Sequence, residues 1–211
     1  MKIYKIKEIY LTLQGEGFYT GRPAVFVRFS GCNLWTGHDK DRESAICYWC
    51  DTNFVGLDGP NGGKYNIHQI TNIIINLWEE SESFKPYVVF TGGEPLLQLD
   101  EELINYLSDS GFETGVETNG TIAPPNGIDW ICVSPKANTD CIIKKGNELK
   151  LVFPQCGINP RNYEKLEFEH FFLQPMDGKN QNENIQRSKD YIFRNPKWKI
   201  SLQTHKIIGI P

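Results

Sequence analysis

The chain has 211 residues, of which 39% are hydrophobic and 23% charged, a balance that suits one domain with its own core and excludes disordered and collagen-like classes. Its net charge is -4, and Lys and Arg are scattered except for a weak cluster at Arg194, Lys197 and Lys199, so no nucleic-acid partner is expected. The longest apolar concentration, Ile70 to Trp78, is broken by Thr71, Asn72 and Asn76 and is too short for a membrane span.

Met1 to Gln14 alternates apolar and charged residues and lacks the apolar run of a secretory leader, so a cytoplasmic protein is expected. In that reducing setting the six cysteines read as ligands, nucleophiles or core residues before disulfides. No repeat or Ser/Pro/Gly linker divides the chain, so residues 1–211 are read as one domain with a loop of interest at about 31–64.

From there on, short β-branched or aromatic runs recur, each stopping at a polar or glycine-rich turn: Ala24 to Ser30, Tyr87 to Thr91, Thr114 to Thr118, Trp130 to Ser134, Leu149 to Phe153, Phe171 to Gln174 and Lys199 to Thr204. Three helices are predicted between them, over Ile67 to Glu82, Asp100 to Asp109 and Asn182 to Arg194, each with an apolar stripe or cap signal. Strands alternating with helices predict an α/β fold with mostly parallel strands, curled into a partial (abbreviated) β/α TIM-type barrel of about six or seven strands.

Polar residues gather where the runs stop. Arg28 and Cys32 follow the first, then Thr91-Gly92-Gly93-Glu94, Glu117-Thr118-Asn119, Ser134-Pro135-Lys136, Gln174-Pro175-Met176-Asp177 and Gln203-Thr204-His205. In a parallel barrel these ends meet at one face, where active sites are built.

Cys32, Cys47 and Cys50 form a C-x14-C-x2-C pattern after the first of these runs. Three thiolates can hold an iron-sulfur cluster with one iron left open; a structural zinc, with His38 as a fourth ligand, and inert core thiols are the alternatives. Cys132, Cys141 and Cys156 have no spaced partners and read as packing or incidental residues.

The three-cysteine loop followed by Gly92-Gly93-Glu94-Pro95 resembles the radical S-adenosylmethionine enzymes. The likeness narrows with Leu13-Gln14-Gly15-Glu16-Gly17, Phe29-Ser30-Gly31-Cys32-Asn33-Leu34, Cys50-Asp51-Thr52, Glu117-Thr118-Asn119-Gly120, Ser134-Pro135-Lys136 and Gln203-Thr204-His205-Lys206. These are similar to the 7-carboxy-7-deazaguanine synthase family, over residue 5 to the C-terminus. One departure is the first cysteine gap, 14 residues here against three in the general superfamily pattern, which leaves the path of Gly37 to Ile46 open: a cap, a docking surface or a small helix.

The resemblance implies one [4Fe-4S] cluster on Cys32, Cys47 and Cys50, and S-adenosylmethionine against Gly92, Gly93, Glu94, Ser134, Pro135, Lys136, Gln174, Pro175, Met176 and Asp177. It implies a pterin substrate, 6-carboxy-5,6,7,8-tetrahydropterin, read by Leu13, Gln14, Gly15, Glu16, Arg28, Thr91, His205 and the terminal carboxylate of Pro211. Mg2+ is implied on Thr52; Asp51 beside it is the alternative ligand or orients the loop, and the roles of Asp51 and Glu117 stay open. Hydrogen abstraction by a 5′-deoxyadenosyl radical, ring contraction and loss of ammonia would give 7-carboxy-7-deazaguanine for queuosine or another 7-deazapurine. An electron donor such as flavodoxin and a homodimer are implied partners. A glycyl-radical activating enzyme and a non-catalytic zinc-binding module are the competing functions.

Overall fold

A computed structural model describes residues 2–78 and 85–211. The N-terminal alternation forms a strand that the sequence pattern did not announce. β1 (Tyr4–Leu13) buries Tyr4, Ile6 and Ile9, and a register shift between Ile6 and Glu8 turns Lys7 inward as well. The Lys7 ammonium meets Asp58 Oδ1 at 2.5 Å. β1 lies antiparallel to β2 (Pro23–Phe29) and to β3 (Gly63–Tyr65), so both additions to the expected topology sit at one edge.

The seven predicted runs form the seven parallel strands: β2, β4 (Tyr87–Gly92), β5 (Glu113–Thr118), β6 (Trp130–Val133), β7 (Lys145–Phe153), β8 (Glu167–Pro175) and β9 (Lys199–Ile200). The sheet order is β3-β1-β2-β4-β5-β6-β7-β8-β9, open at both ends. Only the last run is misjudged in kind. β9 stops at Ile200, and Gln203-Thr204-His205 is not a strand end but the start of a short helix, α4 (Thr204–Ile208).

The three longer helices are α1 (Ile67–Leu77), α2 (Glu101–Asp109) and α3 (Gln181–Arg194). Residues 79–82 of the first predicted helix lie outside the described residues. α1 starts at a capping box, Asn66 accepting from the Gln69 N–H while the Gln69 side chain accepts from the Asn66 N–H; α2 starts at Asp100, which accepts from the Leu103 N–H. Crossovers from β5 to β6 and from β6 to β7 contain no helix, which is where strand and helix cease to alternate.

Alternation along each strand sorts side chains between two layers. Val25, Val27 and Phe29, Val88 and Phe90, and Leu149 and Leu151 join Ile70, Ile74, Leu103, Ile104 and Leu107 of the helices in the main core. The other face carries Phe26 and Arg28, Thr91, Glu117, Cys132, Lys150, Val152 and Gln174, which all line one cavity. That shared cavity, and the reach of the β1–β2 turn to β7 and β8, require the sheet to curl. Phe18 of the turn stacks on His170 with centroids 4.1 Å apart and on Trp130 at 5.2 Å. The turn thereby closes the lower end of the partial barrel.

Candidate active site

The cavity encloses about 240 Å³. It brings together Cys32, Cys47, Cys50, Thr52, Gly92, Gly93, Ser134, Lys136 and Gln174 with Leu13, Gln14, Gly15, Glu16, Arg28, Thr91, His205 and Pro211. Pro135, Pro175, Met176, Asp177 and Glu94 are not among its walls.

Glu94 is fully buried behind the glycine turn. Its carboxylate accepts from the Leu96 N–H at 3.0 Å, the Thr118 hydroxyl at 2.8 Å and the Asn119 N–H at 2.8 Å. Burial pushes its pKa up in spite of these bonds. Glu94 therefore ties the end of β4 to the end of β5. Asp177 turns outward, accepting from Lys206 at 2.6 Å.

The two glycines line the cavity, but packing within the chain explains Gly93. A Cβ there would stand 2.3 Å from the Gly31 carbonyl oxygen and 2.7 Å from Cys32 Cβ. The turn thus presses on the first cysteine, a contact that only glycine permits.

The insertion of Gly37 to Ile46 proves to be a small helix. A 3₁₀ turn over Asp39–Ser44 carries Arg42, whose guanidinium lies 4.1 Å over the Trp35 ring and donates to the carbonyls of Tyr48 at 2.9 Å and Cys50 at 3.1 Å. It braces the Cys47–Cys50 segment from outside. His38 is exposed and absent from the cavity, so it is no fourth ligand.

All three cysteines are free thiols, and burial raises Cys32 and pushes Cys47 up to about 11. Thiols in a shared pocket suit a group that displaces their protons on binding. Among the described residues no three Cys, His, Asp or Glu side chains stand close enough to share one metal ion. A tetrahedral zinc needs such convergence, whereas a cubane takes each thiolate on a different iron. Cys32, Cys47 and Cys50 line one cavity, as three thiolates on three irons of one cubane would require. Lys136, which lines the same cavity, donates to both oxygens of Ser134, at 2.6 Å and 2.7 Å, and lies 5.7 Å from the Trp49 ring centroid. Burial lowers its pKa, opposed by Cys47 and Cys50.

The opposite wall is a polar network. Glu16 Oε2 meets Lys150 Nζ at 2.5 Å, and its Oε1 accepts from Gln174 and Gln203, both at 3.0 Å. Gln14 accepts from the Glu16 N–H at 3.0 Å and donates to Glu117 at 3.1 Å; Thr91 donates to Glu117 at 3.2 Å. Burial pushes Glu16 up, but Lys150 and the Gln203 amide outweigh it and hold the carboxyl below the usual range. Arg28, which lines the cavity, donates to Glu8 at 2.8 Å and to the Tyr10 hydroxyl at 3.0 Å through Nε and one Nη, leaving Nη1 without a partner among the described residues.

The C-terminal segment folds over the mouth. Thr204 donates its N–H and hydroxyl to the Gly15 carbonyl, both at 2.9 Å, and the Pro211 carbonyl oxygen accepts from Thr12 at 3.0 Å. Lys206 joins Asp51 at 2.7 Å to Asp177, which occupies Asp51 as a loop anchor. Sequence alone does not mark Lys150 or Glu148 as site residues. The available signal was a lysine or glutamate inside an apolar strand, as in Glu148-Leu149-Lys150-Leu151.

No family model matches the chain. The 7-carboxy-7-deazaguanine synthase of Bradyrhizobium diazoefficiens is 54% identical over 98% of this chain and 99% of its own length. That of Bordetella pertussis is 53% identical over 99% of both. The crystal structure of QueE from Escherichia coli, 23% identical, superposes with a TM-score of 0.67 over 95% of this chain and 93% of the other, a likeness of fold. The fold and the relatives define a radical S-adenosylmethionine enzyme on a partial β/α barrel. Within that class, the chain belongs to the 7-carboxy-7-deazaguanine synthase family.

Proposed function

We propose that the chain is a carbon–nitrogen lyase that contracts the ring of 6-carboxy-5,6,7,8-tetrahydropterin to 7-carboxy-7-deazaguanine with loss of ammonia, in 7-deazapurine biosynthesis. One observation carries this: three free thiols share one cavity with the acceptors Glu16 and Glu117 and with Arg28. A pterin edge is a row of N–H donors, which carboxylates accept, and its carboxylate suits the free Nη1 of Arg28.

Cys32, Cys47 and Cys50 would hold one [4Fe-4S] cluster, and Gly92, Gly93, Ser134, Lys136 and Gln174 would orient S-adenosylmethionine. Bound together, these groups supply one-electron cleavage and radical hydrogen abstraction. Thr52, half-buried at the cavity wall, would give its hydroxyl to a Mg2+ whose other positions stay with substrate and water oxygens. The backbone of Leu13 and Gly15 and the ring of His205 border the heterocycle, and the segment ending at Pro211 limits water. Asp51, held by Lys206 and Gln203, orients the loop.

The same proposal takes residues 1–211 as one catalytic domain in the cytoplasm, working as a homodimer with an electron donor such as flavodoxin. No helix among the described residues is long and apolar enough to cross a membrane. The test is anaerobic reconstitution with iron and sulfide, then reduction and incubation with S-adenosylmethionine, Mg2+ and the pterin. The expected result is a [4Fe-4S]+ electron paramagnetic resonance signal that shifts on adding S-adenosylmethionine, followed by ammonia and 7-carboxy-7-deazaguanine in the mass spectrum. Colourless, zinc-loaded protein that leaves the pterin unchanged would overturn it.

A further inference from the structure

Lys150 sits in the middle of β7, is 4% exposed, and has no part in the chemistry described so far. Its neighbours Leu149 and Leu151 belong to the main core, so strand alternation sends the lysine into the barrel instead. There its ammonium lies 2.5 Å from Glu16 Oε2 and 3.6 Å from Glu117 Oε1. The other cations lining the cavity are engaged elsewhere, Lys136 on Ser134 and Arg28 on Glu8. The titratable groups around Lys150 are Glu16 from the β1–β2 turn, Glu117 from β5, Cys132 from β6 and Glu148 from its own strand, with Lys136 and His205 also lining the cavity.

Two carboxylates facing one small cavity repel each other and tend to share a proton unless a cation separates them. A protonated Glu16 would present a hydroxyl to the donor edge of a ligand and lose its value as an acceptor. We propose that Lys150 is a positioning residue for the reaction: its ammonium keeps Glu16 ionised and turned toward the cavity, a fixed acceptor for the N–H edge of the substrate's fused ring. This rests on Glu16 as the substrate acceptor. The amides of Gln174 and Gln203 complete the clamp by occupying the other oxygen from β8 and from the residue before α4. A compact ammonium suits the space between two carboxylates better than a forked guanidinium.

The test compares wild type with Lys150→Met and Lys150→Arg in two ways. In full-length protein labelled with [δ-13C]glutamate, the Glu16 resonance, identified by its loss in Glu16→Gln, is titrated. It is expected below the ordinary glutamate range in wild type and Lys150→Arg, and above it in Lys150→Met. In reconstituted enzyme, Lys150→Met is expected to raise the pterin KM by about ten- to hundredfold, with a smaller change in kcat. The acid limb of its kcat/KM profile moves to higher pH, because Glu16 then takes its proton earlier; Lys150→Arg restores that limb while KM stays raised.

A lysine that only supports the fold would lower the melting temperature and leave the Glu16 titration and acid limb in place, which would overturn the assignment. If Lys150→Met does not fold, a wild-type Glu16 that titrates at or above the ordinary range does the same. A Glu16 titration that behaves as expected in protein that never turns over the pterin upholds the lysine's hold on Glu16 and removes the pterin.

Discussion

Glu148 is the buried acid on the inner face of β7 that makes no close ion pair. It is 3% exposed; one oxygen accepts from the Phe18 N–H at 3.1 Å and the other lies 3.6 Å from Cys132 Sγ. Burial raises its pKa, with Lys150 opposing. A carboxyl raised in the folded state loses stability as pH rises past the ordinary glutamate value toward the folded one. Glu148→Gln is therefore expected to gain stability over wild type at pH 8 relative to pH 5, measured as denaturation midpoints at both. Glu16 has the opposite sign: depressed when folded, its contribution is full at neutral pH and fades as acid protonates it. Among the thiols, Cys47→Ala is expected to abolish the iron-sulfur absorption on reconstitution, since two thiolates cannot hold the cluster; retained absorption would move the ligand set elsewhere. Residues whose role is a covalent or metal-binding property, such as these cysteines, are visible in sequence because the chemistry resides in the side chain. Glu148 and Lys150 were not, because their meaning lies in what stands opposite.

Among the elements, the turn after β4 and the loop after β2 act as one unit. Gly93→Ala would drive a methyl group into the Gly31 carbonyl, and is expected to cost about 1–3 kcal/mol in chemical unfolding while loosening Cys32. At the other end, the Pro211 carbonyl bonded to Thr12 places the last residue at the cavity wall. Residues added after Pro211 are expected to reduce kcat/KM by about tenfold or more, by disturbing the Thr12 contact and crowding the mouth; full activity in the extended protein would show that the tail is incidental. The seven parallel strands and three longer helices could be read locally, because periodicity and caps are properties of short windows. β1 could not be told apart from a charged surface segment by composition: its lysines and glutamate alternate with Tyr4, Ile6 and Ile9, and only pairing with β2 reveals which side is buried. β3, of three residues, is too short to carry a pattern, and β9 keeps only the first two residues of its predicted run.

Over the whole molecule, one sheet separates two chemistries. Its outer face is closed by the helices and, toward the open end, by Trp198, which is 1% exposed, packs edge-on against Phe171 and donates to Glu164 at 2.8 Å. Trp198→Ala is expected to cost about 3–5 kcal/mol by leaving a cavity against Phe171, read as a lowered unfolding midpoint. Its inner face is polar because it lines a reaction space and not a core. The sequence by itself determined the strand and helix segments, the three-cysteine pattern and the polar strand ends, since each depends on neighbours a few residues apart. Only the tertiary structure decided that Glu94 braces β4 against β5, that Lys150 meets Glu16 across 134 residues, and that Pro211 returns to β1. Those pairings follow from sheet curvature and chain closure, which sum small twists over many strands and leave no signature in any single segment.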